Sequence, residues 1–199
     1  MLEPDLTYQL LRNLTSPVVA ITSKRGEKEN GMISDAAVRA SIAPTVPRVS
    51  VYVHKFNYSH DMIFETGRFA MHLLHTRQLD IVRRLGFFSG KNQDKLAGLP
   101  HHTAKLGVPV LDECFAHFEC DVVNVMDTGS STLFLGDVKA VGFGRAVSLK
   151  PQGELMTATY FRANMPAEWR LEYEAKLQDA QRTAAELSRL IKPVVWKRS

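Results

Sequence analysis

Two short segments of the chain combine residue types that could bind a flat or phosphorylated ligand. The segment from Asn30 to Ala37 crowds small and polar residues together after a strand-like run, so its backbone could approach a flat polar ligand closely. The segment from His54 to His60 follows another strand-like run and offers a lysine, two imidazoles, an amide and two hydroxyls before a predicted helix start. Lysine, serine and the free backbone amides of a helix N-terminus suit a phosphate group. The alternatives are a polar loop in the first segment and a simple helix cap at Asn57 or Ser59 in the second.

The segment from Phe88 to Lys95 contains Ser-Gly-Lys, which superficially resembles a phosphate-binding loop. It lacks the earlier glycine of the Walker spacing and does not lie between a strand and a helix in that order, so we exclude a P-loop. On these residues alone, a solvated turn is the simpler interpretation.

The seven histidines and two cysteines form no recognisable metal or nucleophile pattern. No His-Glu-x-x-His motif occurs, and the adjacent His101 and His102 would point in different directions on regular structure. His72 lies in an alternating strand pattern and is predicted to be a partly buried structural group, and Cys120 a small core residue. Ser130-Ser131 falls in a predicted turn, and no Ser-His-Asp order is identifiable. We therefore expect neither a metal site nor a catalytic triad.

The composition of the 199-residue chain is that of an ordinary globular protein and excludes several other classes. Apolar residues make up 45% and charged residues 23%, and no apolar run approaches the roughly 20 residues that cross a bilayer. With only two cysteines and no signal-peptide pattern, we expect a reducing, cytoplasmic location rather than secretion or a disulfide framework. The formal net charge of +4 weakly favours an anionic ligand. Because the charges are scattered, we expect no nucleic-acid partner and, without a spanning segment, no membrane association.

Hydrophobic periodicity predicts many strands with short helices between them. The last two predicted strands exceed the usual length of roughly five or six residues and suggest a strongly bent barrel sheet, with Gly129 at the hairpin turn that joins them. The predicted strands are Pro17 to Thr22, Arg48 to Val53, Arg68 to Leu74, Phe115 to Met126 and Thr132 to Val141. The predicted helices are Leu6 to Leu14, Asp61 to Glu65 and Gln78 to Phe87, with a turn over Lys24 to Asn30 and a long loop over Ser89 to Gly107.

The last part of the chain has the composition of a helix. From Pro166 to Ile191 it is rich in Glu, Ala, Arg, Leu and Gln, and apolar residues recur every three or four positions from Trp169 onward. This stripe predicts one long helix that packs across the barrel or a dimer partner, or within its own subunit. The order of elements favours a mostly β, α+β fold around an antiparallel barrel.

Several pieces of the sequence, taken in order, resemble the flavin reductase-like, FMN-binding split-barrel family. The resemblance runs from about Ser16 to Val147 and rests on the order of the pieces, since no single piece is specific. The pieces are Ser16-Pro-Val-Val-Ala-Ile-Thr22, Asn30-Gly-Met-Ile-Ser-Asp35, Ser41-x-x-Pro44, Pro47-Arg-Val-Ser-Val-Tyr-Val53, Tyr58-Ser-His-Asp-Met-Ile63, Glu65-Thr-Gly-Arg-Phe-Ala-Met-His-Leu-Leu74, Ser89-Gly-Lys-x-x-Asp-Lys95, Gly107-Val-Pro-Val-Leu111, Phe118-Glu-Cys120 and Asp127-Thr-Gly-Ser-Ser-Thr-Leu-Phe-Leu-Gly-Asp-Val138.

The resemblance implies an FMN-binding split β-barrel with flanking helices, and we assign this domain to 1–160. The C-terminal helix lies outside the resemblance, and we assign a helical extension to 161–199 from its composition. The resemblance also implies a homodimer with FMN in a groove at or near the dimer interface. The phosphate and ribityl contacts would then fall on the loop from Asn30 to Ser41 and on the segment from Lys55 to His60. The candidate FMN-binding residues are Asn30, Gly31, Met32, Ile33, Ser34, Ser41, Lys55, Tyr58, Ser59, His60, Ser89 and Lys95.

The same resemblance implies an FMN-dependent oxidoreductase, namely a flavin reductase in which hydride passes from NADH or NADPH to flavin N5. Such a reaction requires no protein acid, base or nucleophile, so we name no catalytic residue. A partner monooxygenase, or another flavin or electron acceptor, would receive the reducing equivalents. The alternatives are a non-catalytic flavoprotein or electron carrier on the same barrel, and a barrel that binds haem or another anionic cofactor.

Three departures from the family pattern bear on these expectations. The threonine after Gly-Met is Ile33 here, and the Ser-Ser pair that follows is Asp35-Ala36, whose carboxylate would repel a phosphate. The Pro-Pro pair is split as Pro44-Thr-Val-Pro47. The turn often written Gly-Asp-His-Thr is Gly129-Ser-Ser-Thr132, which removes a histidine near the flavin or nicotinamide and slightly favours the electron carrier.

Overall fold

The fold is built on an antiparallel sheet whose two edge strands are joined by only two residues. The computed structural model describes residues 4–14, 16–145, 154–188 and 190–196. The strands are β1 Val19–Arg25, β2 Lys28–Ser34, β3 Ala37–Arg39, β4 Arg48–His54, β5 Arg68–Leu73, β6 His101–Thr103, β7 Pro109–Leu111, β8 Ala116–Asp127 and β9 Ser131–Phe143. Seven of them pair in the order β2-β1-β5-β8-β9-β4-β3, and β6 pairs with β7 separately. Because only Asp35 and Ala36 separate the edge strands β2 and β3, the sheet has to curl until its edges meet.

The two longest strands bend the sheet. The pairing of β8 with β9 shifts register between Glu119 and Cys120 and again between Val122 and Asn124. Such bulges increase the local twist and bend of a strand. The predicted hairpin is confirmed, with Gly129 in the left-handed region at φ 87°. The curled, mostly β architecture confirms the predicted split barrel.

The helices cover the barrel from outside. Their bounds are α1 Pro4–Leu11, α2 Tyr58–Thr66, α3 Leu79–Gly86, α4 Ala158–Asn164 and α5 Arg170–Leu187, with a 3-10 turn at Ala167–Trp169 before α5. The long C-terminal helix is therefore confirmed, but it starts later and ends earlier than the predicted span. Within the described residues, no helix is both long enough and apolar enough to cross a membrane.

Two apolar clusters account for most of the core. The barrel interior holds a cluster that includes the fully buried Phe69 and Phe134. A second cluster lies between the sheet and the helices and includes Leu85 of α3 and Phe161 of α4. Trp169 and Tyr173 pack against this second cluster, so the start of the predicted apolar stripe packs within its own subunit.

His72 and Cys120 have the structural roles that the sequence predicts. The His72 side chain is fully buried, its Nδ1 donates to the Ala20 carbonyl at 3.1 Å, and its Nε2 accepts from the Leu111 amide at 3.1 Å. Burial lowers the pKa of His72 to about 3, so the ring stays neutral and ties β5 to β1 and β7. Cys120 is a fully buried free thiol of the barrel interior.

The prediction of a loop over Asn30 to Ala37 is wrong. Residues 30–34 belong to β2, which pairs along its whole length with β1, and the turn between the two strands is only Gly26-Glu27. The polar character of this strand misleads sequence analysis because its partners come from distant parts of the chain. Asn30, for example, donates from Nδ2 to Ser59 Oγ at 2.8 Å.

Candidate functional site

A pocket of about 480 Å³ opens where β2, the β4–α2 connection, the loop after α3 and helix α5 meet. Its volume falls in the range of roughly 300 to 1,000 Å³ that is typical of small-molecule sites. We call it the main pocket. It is lined by Asn30, Met32, Ile33, His54, Phe56, Asn57, Tyr58, Ser59, Leu85, Gly86, Phe87, Phe88, Ser89, Gly90, Lys95, Lys176, Asp179, Ala180 and Thr183.

Helix α2 points its N-terminus at the main pocket. Asn57 occupies the N-cap position in an extended conformation, but its side chain makes no capping hydrogen bond, and its Nδ2 lies 3.9 Å from Met32 Sδ instead. Ser59 is fully buried inside the first turn and accepts from Asn30. The simple cap predicted as an alternative is therefore absent. The His60 amide donates to the Asn57 carbonyl at 2.9 Å, which leaves the amides of Tyr58 and Ser59 for an anion.

Asn30 presents an acceptor that no protein group satisfies. The residue is 2% exposed, and its Oδ1 is buried without a hydrogen-bond partner among the described residues. Gly90 runs against it so closely that a Cβ there would lie 2.1 Å from Oδ1. A buried acceptor without a donor is costly, so this oxygen fits a ligand hydroxyl or N–H group.

Lys95 is a buried cation behind the pocket rather than part of a solvated turn. It is 4% exposed, and its Nζ donates to the carbonyls of Leu85 at 2.8 Å and Phe88 at 3.0 Å. The lysine therefore binds the C-terminal end of α3 and fixes the loop that carries Ser89 and Gly90. Burial lowers the pKa of Lys95 to about 8.

Lys55 and His60 lie near the main pocket without lining it. Lys55 Nζ donates to Asp127 Oδ1 at 2.7 Å. The two ring nitrogens of His60 are 3.0 Å from Asp61 Oδ1 and 2.8 Å from Thr132 Oγ1. Both side chains therefore have protein partners within the barrel wall.

Three other predicted residues also lie outside the lining. Gly31 packs against α3, since a Cβ there would lie 3.0 Å from a methyl of Leu85. Ser34 Oγ donates to the Tyr52 carbonyl at 3.3 Å and accepts from the Ala36 amide. Ser41 lines a separate apolar groove. The structure thus gathers seven predicted residues at the main pocket, namely Asn30, Met32, Ile33, Tyr58, Ser59, Ser89 and Lys95.

Two parts of the lining are not among the predicted FMN-binding residues, although the first of them belongs to the candidate segment from His54 to His60. His54 stacks on Phe56 with ring centroids 4.9 Å apart, and its Nδ1 is 2.8 Å from Ser131 Oγ. Ser131 occupies the position of the histidine in the Gly-Asp-His-Thr turn with which the sequence was compared above. It is paired with His54 between strands β9 and β4. An imidazole is therefore present at this place after all. Burial lowers the pKa of His54 below its usual value.

Helix α5 supplies the other missed part, a wall made of Lys176, Asp179, Ala180 and Thr183. These positions recur at steps of three, one and three, so they share one helical face. The start of the apolar stripe, at Trp169 and Tyr173, packs against the core, whereas Leu187 and Ile191 at its end are 40% and 70% exposed. The stripe did not predict that this helix would line the pocket.

A model of the flavin reductase like domain matches residues 11–167 of the chain. The chain belongs to this family. Membership confirms the predicted split barrel. It also confirms the prediction that the chain is a flavin-dependent oxidoreductase.

Individual relatives agree with this assignment. The flavin reductase like chain is 31% identical over 153 residues to a high molecular weight rubredoxin of Moorella thermoacetica, covering 76% of this chain and 63% of that protein. It is 27% identical over 180 residues to the flavin-dependent monooxygenase reductase subunit HsaB of Mycobacterium tuberculosis, covering 88% of this chain and 93% of that one. The structure of nitrilotriacetate monooxygenase component B from Mycobacterium thermoresistibile matches with a TM-score of 0.65 and 26% identity, covering 83% of this chain and 92% of the other.

The described part of this flavin reductase like chain holds no group of three or more His, Cys, Asp and Glu side chains that could bind a metal ion. Its polar groups at the main pocket are amides, hydroxyls, two lysines, one imidazole and the carboxylate of Asp179. Such donors and acceptors suit an organic, phosphorylated ligand.

Proposed function

We propose that the chain binds FMN in the main pocket and reduces it with NADH or NADPH. The observation that carries the proposal is the unpartnered Oδ1 of Asn30 beside the open N-terminus of α2, in a member of the flavin reductase like family. A flavin nucleotide offers what these groups lack, namely ribityl hydroxyls and a ring N–H for the acceptor and a phosphate for the helix amides.

The remaining lining residues fit the same ligand. Met32, Ile33, Phe87 and Phe88 give the pocket an apolar side for the ring. Tyr58 and Ser59 contribute the first-turn amides of α2, and Lys176 adds a positive charge. Lys95 acts from behind by fixing the Ser89-Gly90 loop against Asn30.

The protein's part in the reaction is to bind, orient and exclude water. When bound, the flavin supplies the hydride-accepting N5 atom that no amino-acid side chain provides. His54 lines the pocket, and its contacts with Ser131 and Phe56 hold the orientation of the ring. Because burial lowers its pKa, His54 is neutral near pH 7 and offers the pocket a hydrogen bond rather than a charge.

Anaerobic titration with each nicotinamide tests the proposal. Purified protein loaded with FMN is mixed with NADH or NADPH, and flavin absorbance is followed by stopped flow. Bleaching on a catalytic timescale by at least one nucleotide is expected. A protein without affinity for FMN would overturn the proposal, and FMN that binds but is not bleached by either nucleotide would identify an electron carrier instead.

We also propose that the chain works as a homodimer. A groove of about 600 Å³, which shares no lining residue with the main pocket, is lined mainly by apolar residues. Of these, Val38, Ile42 and Val141 are 55%, 87% and 67% exposed. A second copy of the chain would cover this surface. Light scattering after size exclusion should give twice the 22.3 kDa chain mass, and Ile42→Asp should shift it toward the monomer. A monomeric wild-type protein at micromolar concentration would contradict the proposal.

The acceptor we favour is a partner monooxygenase. The names of the HsaB and component B relatives support this choice, since one is named the reductase subunit and the other component B of a monooxygenase. Oxygen-dependent product formation that needs both this protein and a candidate oxygenase would support the partnership.

We also propose a cytoplasmic location, which agrees with the two cysteines, since both are buried free thiols.

A further inference from the structure

A second, smaller cavity of about 220 Å³ lies beside the main pocket, between β2 and helices α3, α4 and α5. We call it the helical crevice. It shares Ile33, Gly86, Phe87 and Lys176 with the main pocket, so the two spaces are neighbours across a thin partition.

Two cations reach the helical crevice from the C-terminal helices. Arg162 on α4 and Lys176 on α5 both line it, and Asp35 is the acidic residue of the lining. Within the described residues, Arg162 makes no ion pair, and Lys176 Nζ lies 3.7 Å from Glu172 Oε1 and 5.6 Å from the centroid of the Phe88 ring, with no shorter ion pair. Both cations are therefore available to an anion, and Asp35 could accept hydrogen bonds from sugar hydroxyls.

The floor of the helical crevice is aromatic. The rings of Phe87, Phe161 and Tyr173 pack together with centroid distances of 5.8 to 6.4 Å. Val18 and Val82 complete the apolar surface. Aromatic and apolar side chains with a cationic rim are the surroundings in which a nucleotide base and its phosphates bind.

The size of the helical crevice decides what it can hold. At about 220 Å³ it is smaller than the roughly 300 to 1,000 Å³ that enclose a complete small-molecule ligand. It fits part of a ligand whose other part occupies the neighbouring main pocket. Dinucleotides such as FAD and NAD(P)H have this shape, with an adenosine phosphate joined to the redox-active half.

We propose that the helical crevice binds the adenosine phosphate part of a dinucleotide, with Arg162 and Lys176 on the phosphates. The inference rests on the proposed function only for the identity of the dinucleotide, which is either FAD or the reducing nicotinamide. It gives helix α5, which lies entirely beyond the part matched by the family model, a direct role in ligand choice.

Arg162→Gln is the variant that tests the crevice, because Arg162 lines the crevice and not the main pocket. Arg170→Gln is the matched control, since Arg170 is exposed at the start of α5 and lines neither cavity. ADP is the probe, with affinity measured by calorimetry on the FMN-loaded protein. Arg162→Gln should raise the Kd for ADP about tenfold, as expected for loss of a charge-assisted hydrogen bond, and Arg162→Lys should retain most of the affinity.

Three further measurements distinguish FAD from the nicotinamide as the dinucleotide, namely the Kd for FAD, the Kd for FMN and the KM for NADH or NADPH. If FAD is the source, Arg162→Gln raises the Kd for FAD and leaves the Kd for FMN within twofold. If the nicotinamide is the source, the variant raises the KM for NADH or NADPH while FAD and FMN bind alike. An ADP affinity that changes no more than in Arg170→Gln, or an FMN affinity that falls as much as that for ADP, would overturn the inference. Calorimetry with ADP remains informative even if neither nicotinamide reduces the flavin.

Discussion

The ammonium group of Lys55 lies 2.7 Å from the Asp127 carboxylate, where the end of β4 meets the end of β8. The same carboxylate accepts from the amide of Gly129 at 2.7 Å and from the amide of Lys192 at 3.2 Å. Asp127 thus joins a strand end, the β8–β9 turn and the segment after α5. The charge of Lys55 is already matched by a protein group before any ligand binds.

This pairing changes what is expected of Lys55→Ala. A lysine in direct contact with a flavin phosphate would contribute roughly 1 to 3 kcal/mol to binding. Because the ammonium is bound to Asp127 and lies outside the main pocket, we predict a change of less than about threefold in the Kd for FMN. Fluorescence titration measures this Kd. Asp127→Asn is the matched control and should destabilise the protein similarly; a tenfold weaker FMN complex in Lys55→Ala alone would show a direct phosphate contact.

Gly90→Ala should damage both stability and flavin binding. An added Cβ would lie 2.1 Å from Asn30 Oδ1 and 2.6 Å from its Cγ, so Asn30 must move away from Ser59. Overpacking of this kind costs about 1 to 3 kcal/mol of unfolding free energy. Urea denaturation and FMN titration measure the two effects. The double variant Asn30→Ala/Gly90→Ala removes the clash, so an equal penalty for Gly90→Ala in both backgrounds would contradict this explanation.

The strands of the barrel could be predicted from sequence where apolar and polar residues alternate along the strand itself. The alternation from Thr132 to Val141 lies within β9, and the pattern from Phe115 to Met126 agrees with β8 to within one residue at each end. Strand β2 escaped prediction because Asn30 and Ser34 are polar residues that point inward and are stabilised by contacts with remote residues. Periodicity reports burial, and it cannot report a buried amide that pairs with another element.

The candidate site, like the fold, could be predicted from the sequence only in part. The helix start at Tyr58 and Ser59 was found because residue types that bind phosphate follow a strand directly. The wall from α5 was not found, because an amphipathic stripe shows that a helix packs and not where it packs. Lys95 was placed at the site by the family resemblance, but its burial and its contacts with Leu85 and Phe88 depend on tertiary structure.

Arg83 holds helix α5 in place beside the main pocket. Its guanidinium lies 5.2 Å from the centroid of the Trp169 ring and 5.4 Å from that of Phe88, and Nη2 donates to Glu172 at 3.0 Å. Arg83→Met should lower the unfolding free energy by about 1 to 2 kcal/mol, through lost cation–π and ion-pair contacts. It should also weaken FMN binding, because α5 forms one wall of the pocket.

Limited proteolysis followed by mass spectrometry locates the effect of Arg83→Met, with faster cleavage expected within Arg170–Leu187. Arg77→Met is the control, since Arg77 is an exposed residue just before α3. Cleavage of α5 at the same rate in both variants would show that Arg83 does not fasten this helix.

The buried ammonium of Lys95 should make stability depend on pH in the alkaline range. Its pKa is about 8 in the folded protein against 10.5 for a free side chain, so the unfolded chain binds more protons between these values. Stability contributed by Lys95 therefore rises with pH across this window and is lost as the pH falls through about 8. Relative to Lys95→Met, the wild-type protein should gain about 1 to 3 kcal/mol from pH 7 to pH 10.5, at about 1.4 kcal/mol for each pKa unit.

Urea midpoints at both pH values measure this gain, and Lys91→Met, an exposed lysine on the same loop, controls for general alkaline effects. The sign is decisive, because a lysine stabilised by a charge partner would lose stability at high pH rather than gain it. A difference between wild type and Lys95→Met that stays constant from pH 7 to pH 10.5 would mean that Lys95 is hydrated and that its hydrogen bonds to Leu85 and Phe88 do not hold the loop.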